Sequence, residues 1–167
     1  MFSITLSGLH WLDGTEEKND LCLHGKAAAI IGNERFEYDA TVSSTALYLL
    51  KSLTEDHRTA DANNQMLPCC GFFMIPDETL TSVEICGCPN GIDWSVIHDS
   101  DGVTLITEAG NKTFVPMDEY RTAVFAFADQ IEAFYESSAE KELPKDEYER
   151  KGYAAFWNEW KRRRYDL

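Results

Sequence analysis

The first residues alternate. Phe2, Ile4 and Leu6 are apolar, and Ser3, Thr5 and Ser7 between them are polar. That is the period of a half-buried strand. Asp13-Gly14 predicts a turn, and the polar stretch Thr15–Asp20 predicts a loop. A second strand is predicted near Leu21–Ile31 and a turn at Gly32-Asn33-Glu34, with Arg35–Tyr38 returning as a third strand. The pattern then changes period. Val42, Ala46, Leu49, Leu50 and Leu53 share one helical face, with Ser43 and Ser44 as candidate N-caps. The polar stretch Glu55–Gln65 predicts a loop.

Strands resume in the middle of the chain. Cys70–Ile75 is a continuous apolar run between Pro68 and Pro76, predicting a buried strand, and Thr81–Gly87 predicts another. After the turn at Pro89-Asn90-Gly91, a meander is predicted over Asp93–His98, Val103–Thr107 and Lys112–Val115, with turns at Asp101-Gly102 and Gly110. Pro116 suits a helix start. Tyr120, Val124, Phe127, Ile131, Phe134 and Tyr135 then recur at helical spacing. Pro144 breaks the chain before a last helix, about Lys145–Arg164, with Tyr153, Phe156, Trp157 and Trp160 on one face. Runs of antiparallel strands with segregated helices predict an α+β fold: a meander, a long central helix and a C-terminal helix packed on it. The 167 residues are expected to form one domain, with 145–167 a peripheral helix.

Charge adds the first functional hint. Twenty-nine acidic residues against fifteen basic ones give a formal net charge of -14. Residues 145–167 carry +2, which leaves -16 on the remainder. Such a body repels nucleic acid and anionic membranes and favours cationic protein partners. No apolar run approaches the roughly 20 residues of a membrane span. The N-terminal alternation reads as a strand rather than a signal peptide, so a cytoplasmic location is expected.

Candidate chemistry is sparse. The odd cysteine count (Cys22, Cys69, Cys70, Cys86, Cys88) predicts reduced, mostly buried thiols. Neither close cysteine pair has the two-residue spacing of a zinc knuckle. If Cys69 and Cys70 are neighbours in a strand, they point to opposite faces. Cys86, Cys88 and His98 are the remaining metal or thiol-enzyme candidates, His98 as a base oriented by Asp99 or Asp101. No motif requires a cofactor, and none is expected. Asp129, Glu132 and Glu136 share a face of the long helix. Together with Asp99, Asp101, Trp157 and Trp160 they are the candidate partner-binding residues.

The stretch from Gly91-Ile92-Asp93-Trp94 through the meander to Val115-Pro116-Met117-Asp118-Glu119-Tyr120 and Phe134-Tyr135 resembles small uncharacterised bacterial proteins. Some of these are immunity proteins of polymorphic or contact-dependent toxin systems. The resemblance is one of pattern over the C-terminal half and transfers no functional residue. It implies an acidic, cytosolic protein that binds and blocks a cognate toxin, often a basic nuclease. A small metal- or thiol-dependent enzyme and a structural or phage-derived homo-oligomer that associates through the aromatic terminal helix are the competing expectations.

Overall fold

A computed structural model describes residues 1–12, 17–59, 64–71 and 73–166. The expected turn at Asp13-Gly14 lies outside these residues, as do parts of the predicted loops Thr15–Asp20 and Glu55–Gln65. The fold is α+β, with three antiparallel sheets and three α-helices among the described residues.

The first sheet is the meander β1 (Phe2–His10), β2 (His24–Ile31) and β3 (Glu34–Ala40), with Phe2 opposite Ile31 and Ile31 opposite Glu34. Its inner face carries Phe2, Ile4, Ala27, Ala29 and Ile31, all buried. Helix α1 (Val42–Lys51) follows directly. The alternation of apolar positions predicted one buried face, but every residue from Val42 to Leu50 is buried. Its hydroxyls stay satisfied where partners are near. Ser43 Oγ accepts from Leu23 N at 3.1 Å, Ser44 Oγ donates to Gly71 O at 2.8 Å, and Tyr48 OH donates to Ile85 O at 2.8 Å. These bonds are why serines occur inside a core helix. The N-cap position belongs to Thr41, not to Ser43 or Ser44, and its side chain makes no cap hydrogen bond.

A two-stranded hairpin comes next, β4 (Phe73–Pro76) with β5 (Val83–Cys86), and Phe73 pairs with Cys86. The continuous strand expected from Cys70 begins only at Phe73, whose ring is 51% exposed, because helical cover reaches one face of the hairpin. The third sheet is β6 (Trp94–His98), β7 (Gly102–Thr107) and β8 (Lys112–Pro116), a meander as the turn residues predicted.

Pro116 closes β8 and occupies the N-cap position of α2 (Met117–Ser137), which buries Tyr120, Val124, Phe127, Ala128 and Ile131. Helix α3 (Glu147–Tyr165) starts at Asp146, whose carboxylate accepts from Glu149 N at 3.0 Å. It lies on β4, with Gly152 against the Met74 carbonyl, where any Cβ would collide. Tyr153, Phe156 and Trp160 are buried in the same hydrophobic cluster as the sheets and α1. The helix expected at the periphery is thus part of the core. No helix among the described residues is long and apolar enough to cross a membrane.

Candidate functional site

Helices α2 and α3 meet along the acidic face of α2, and the meeting divides that face in two. At Asp129, Arg164 makes a two-pronged contact, Nε to Oδ1 at 2.6 Å and Nη2 to Oδ2 at 2.8 Å. One turn on, Glu132 Oε2 accepts from Trp160 Nε1 at 3.2 Å and from Tyr165 OH at 2.8 Å. Both carboxylates are engaged inside the molecule. Glu136, a further turn along, is exposed and has no such partner among the described residues. Of the seven predicted contact residues, Trp160 is overturned outright. It is fully buried, because its face of α3 packs inward.

Beyond Glu132 the two helices and the segment that joins them border an open cleft of about 470 Å³. Its aromatic wall is Tyr135, Tyr153 and Trp157, and three carboxylates, Glu132, Glu136 and Glu140, face two lysines, Lys141 and Lys161, across it. Trp157 is half-buried and meets Tyr135 edge-on at 4.9 Å between ring centroids, Phe156 at 5.3 Å and Trp160 at 5.2 Å. Each such pair adds roughly 0.5–1.5 kcal/mol beyond area burial, so the indole is held rigidly. A cation already occupies the margin. Lys141 Nζ sits 3.1 Å from the Trp11 ring centroid and donates to Glu17 O at 2.6 Å. Burial pulls the Lys141 ammonium below its ordinary pKa, against the opposing pull of Asp20 and Glu17. Glu140 and Lys141 were not singled out from sequence, since nothing local marks residues that converge from three segments, and Tyr135 and Tyr153 were read only as aromatic positions on their helix faces.

Asp99 and Asp101 lie elsewhere. They form the β6–β7 turn, where Asp99 Oδ2 accepts from Thr104 Oγ1 at 2.5 Å and Asp101 O accepts from Met117 N at 3.0 Å. That anchors them at the start of α2. Glu136 is nineteen residues further along the helix, roughly 28 Å at helical rise. The predicted set is therefore two patches, not one.

His98 is not oriented by either of these aspartates. Asp56 Oδ1 accepts from its backbone N–H at 2.9 Å and lies 3.0 Å from Nδ1. The backbone bond, then the ring bond, hold the Asp56 carboxyl below its ordinary value. A parallel pair, His57 Nε2 to Asp93 Oδ1 at 2.8 Å, was not foreseen because its partners are 36 residues apart. Both pairs tie the segment after α1 to β6, where His57 also bridges Val96.

The cysteines depart most from expectation. Cys69 and Cys88 form a disulfide, and their Cα atoms are 6.7 Å apart. Cys70 Sγ lies beside it and accepts from Cys88 N at 3.0 Å. The sulfurs of Cys69, Cys70 and Cys88 all lie within 4.8 Å of one another. Cys86 and His98 stand outside this group. The expected divergence of Cys69 and Cys70 fails because both precede the strand and are free of its alternation. Cys22 behaves as predicted for a structural thiol, since burial, with help from Asp20, pushes it up to about 12.

A separate, largely apolar pocket of about 440 Å³ lies between α3 and the loop before β2. Leu12, Phe73 and Tyr148 form its exposed margin, with Asp20 and His24 deeper. His24 Nε2 stands 3.9 Å from Asp20 Oδ2, beyond hydrogen-bond reach, and burial lowers its pKa despite that carboxylate.

No protein-family model, curated protein or solved structure matches this chain.

Proposed function

We propose that this chain is a protein-binding module that docks a cationic segment of a partner in the cleft between α2 and α3. The partner class is a basic protein, and the immunity-type reading, inhibition of a basic toxin domain, is the specific form we favour. One observation carries it: a rigid, half-exposed Trp157 lies in the same cleft as Glu136 and Glu140, both exposed and neither hydrogen-bonded or ion-paired through its side chain among the described residues.

The chemistry follows from that juxtaposition. An Arg or Lys head over an indole gains roughly 0.5–2 kcal/mol, more as water is excluded. Carboxylates at the margin add attraction and, with the net charge of -14, speed encounter with a basic surface. A cleft of about 470 Å³ accommodates one or two such side chains. Lys141 over Trp11 and Arg164 over Phe125, 4.2 Å from the ring centroid, are internal examples of the same contact nearby.

The test uses an arginine-rich peptide as probe, titrated into the full chain and followed by amide chemical shifts. Shifts are expected at residues 132–141 and 153–161, weakening as salt rises. Trp157→Ala should weaken binding about tenfold, some 1.4 kcal/mol. Shifts confined to Asp99 and Asp101, or binding unchanged by Trp157→Ala, would overturn the assignment.

A further inference from the structure

The three convergent sulfurs need no docking partner to be interesting. We infer that Cys69, Cys70 and Cys88 are a redox-gated metal site. In the reduced protein their thiolates hold one zinc-class cation, and the Cys69–Cys88 disulfide removes two of the three ligands.

The argument begins with the backbone. Cys69-Cys70 comes before β4 and Cys88 after β5, and the β4–β5 register sets the two segments side by side. Contacts that do not involve the disulfide hold them there. Thr41 N donates to Pro68 O at 3.0 Å, and Ser44 Oγ donates to Gly71 O at 2.8 Å, so the Cys69-Cys70 segment is pinned to α1 from both ends. Tyr48 OH pins β5 through Ile85 O. Gly87 packs against the Cys70 carbonyl so closely that any Cβ would collide with it. Reducing the disulfide leaves all of these in place, and the three sulfurs stay gathered.

The spacing fits a soft ion. Zinc–sulfur bonds of about 2.3 Å at tetrahedral angles put sulfurs about 3.8 Å apart. On reduction the Cys69 and Cys88 sulfurs, about 2 Å apart while bonded, open by roughly 1.8 Å to reach that spacing, and their distances to Cys70 Sγ, all within 4.8 Å, close by about 1 Å at most; side-chain rotation supplies both. The Cys88 N–H donated to Cys70 Sγ is the outer contact a coordinated thiolate needs to spread its charge. All three cysteines are half-buried, so ion and reductant can reach them. Three protein ligands leave the fourth position of a tetrahedral ion for water or another ligand.

The steps balance. A dithiol reductant gives two electrons and two protons to the Cys69–Cys88 bond, which becomes two thiols, and the reductant closes to its own disulfide. A divalent ion then displaces three protons, one from each of Cys69, Cys70 and Cys88, as three metal–sulfur bonds form. Two-electron oxidation of Cys69 and Cys88 by a disulfide-bearing oxidant reverses both steps and expels the ion.

The test uses the full chain, reduced by a phosphine under anaerobic conditions and titrated with cobalt(II), with zinc(II) as competitor. We expect one cobalt per chain, sulfur-to-cobalt charge transfer in the near ultraviolet, tetrahedral ligand-field bands in the visible, and loss of both on adding zinc. The oxidised protein should show neither. Cys70→Ser should weaken binding by more than the roughly 10- to 100-fold that losing an outer contact costs. Cys22→Ser and Cys86→Ser should leave the spectrum unchanged. Absence of charge transfer in the reduced wild-type chain overturns the proposal without any variant. So does a cobalt spectrum that persists in the oxidised protein.

Discussion

The two ends of the α2–α3 contact use the same residue types to opposite effect. Toward the end of α3, the basic run closes on carboxylates. Arg164 holds Asp129, and Arg163 binds Glu159 Oε1 at 2.8 Å, Thr54 Oγ1 at 3.0 Å and the Glu55 carboxylate. Glu159 is fully buried and also accepts from Val83 N at 2.7 Å. Burial works against the Arg163 charge, and the bonds to Glu55 and Glu159 outweigh it, holding that guanidinium above its ordinary value. At the other end, beyond the Tyr135–Trp157 contact, Glu136 and Glu140 face the cleft with no side-chain partner among the described residues. One end is a strap that closes the fold, and the other is a surface still able to bind. A basic tail in sequence is thus not a free basic tail in the molecule.

That contrast can be broken at the strap first. Glu159→Ala leaves Arg163 half-unpaired and Val83 N without its acceptor, and should cost about 3 kcal/mol of stability in urea unfolding. A loss under 1 kcal/mol would mean the buried ties are incidental. At the open end, the double change Glu136→Lys and Glu140→Lys should weaken binding of the arginine-rich probe several-fold. It should leave stability within about 0.5 kcal/mol, as expected of exposed sites. A comparable loss of stability would show that these carboxylates also serve the fold. Asp129→Asn breaks an ion pair whose carboxylate is half-exposed, and should cost about 0.5 kcal/mol, shrinking further in high salt.

The smallest effect concerns a carboxylate that is exposed yet internally engaged. Asp77, in the β4–β5 turn, accepts from Thr79 Oγ1 at 2.6 Å, Ser82 N at 3.1 Å and Thr81 N at 2.8 Å. The Thr79 bond leads in lowering its pKa from the ordinary 3.8 to about 2. A depressed carboxyl stabilises the folded state above its unfolded value and loses that contribution as pH falls through the folded one. An acid titration of stability should therefore lose a small increment between about pH 4 and pH 2, and Asp77→Asn should flatten it. An unchanged slope would separate the Asp77 bonds from the stability of the turn.

Much of the element order was legible because period is a local property. Tyr120, Val124, Phe127 and Ile131 announced α2, and the meander turns at Asp101-Gly102 and Gly110 bounded β7 and β8. The same reasoning misjudged α1, where Ser43 and Ser44 were expected as N-caps and instead lie buried inside the helix. The burial of these two serines depends on a donor at Leu23 and an acceptor at Gly71, 20 and 27 residues away. It also misplaced the cysteines, because a strand boundary three residues late changed where Cys69 and Cys70 point. The candidate cleft was half legible: Glu136 and Trp157 were named as contacts, Tyr135 only as a helix-face residue, and Glu140 not at all.

The sequence by itself determined the α+β composition, the acidic charge and most helix and strand positions, since these follow from residue types a few positions apart. Tertiary structure alone decided which charges remain available, why Trp160 is inside and Trp157 at the surface, and that three sulfurs meet. Those outcomes depend on contacts between segments as far apart as Thr54 and Arg163, and local periodicity carries no information about which distant segment will pack where.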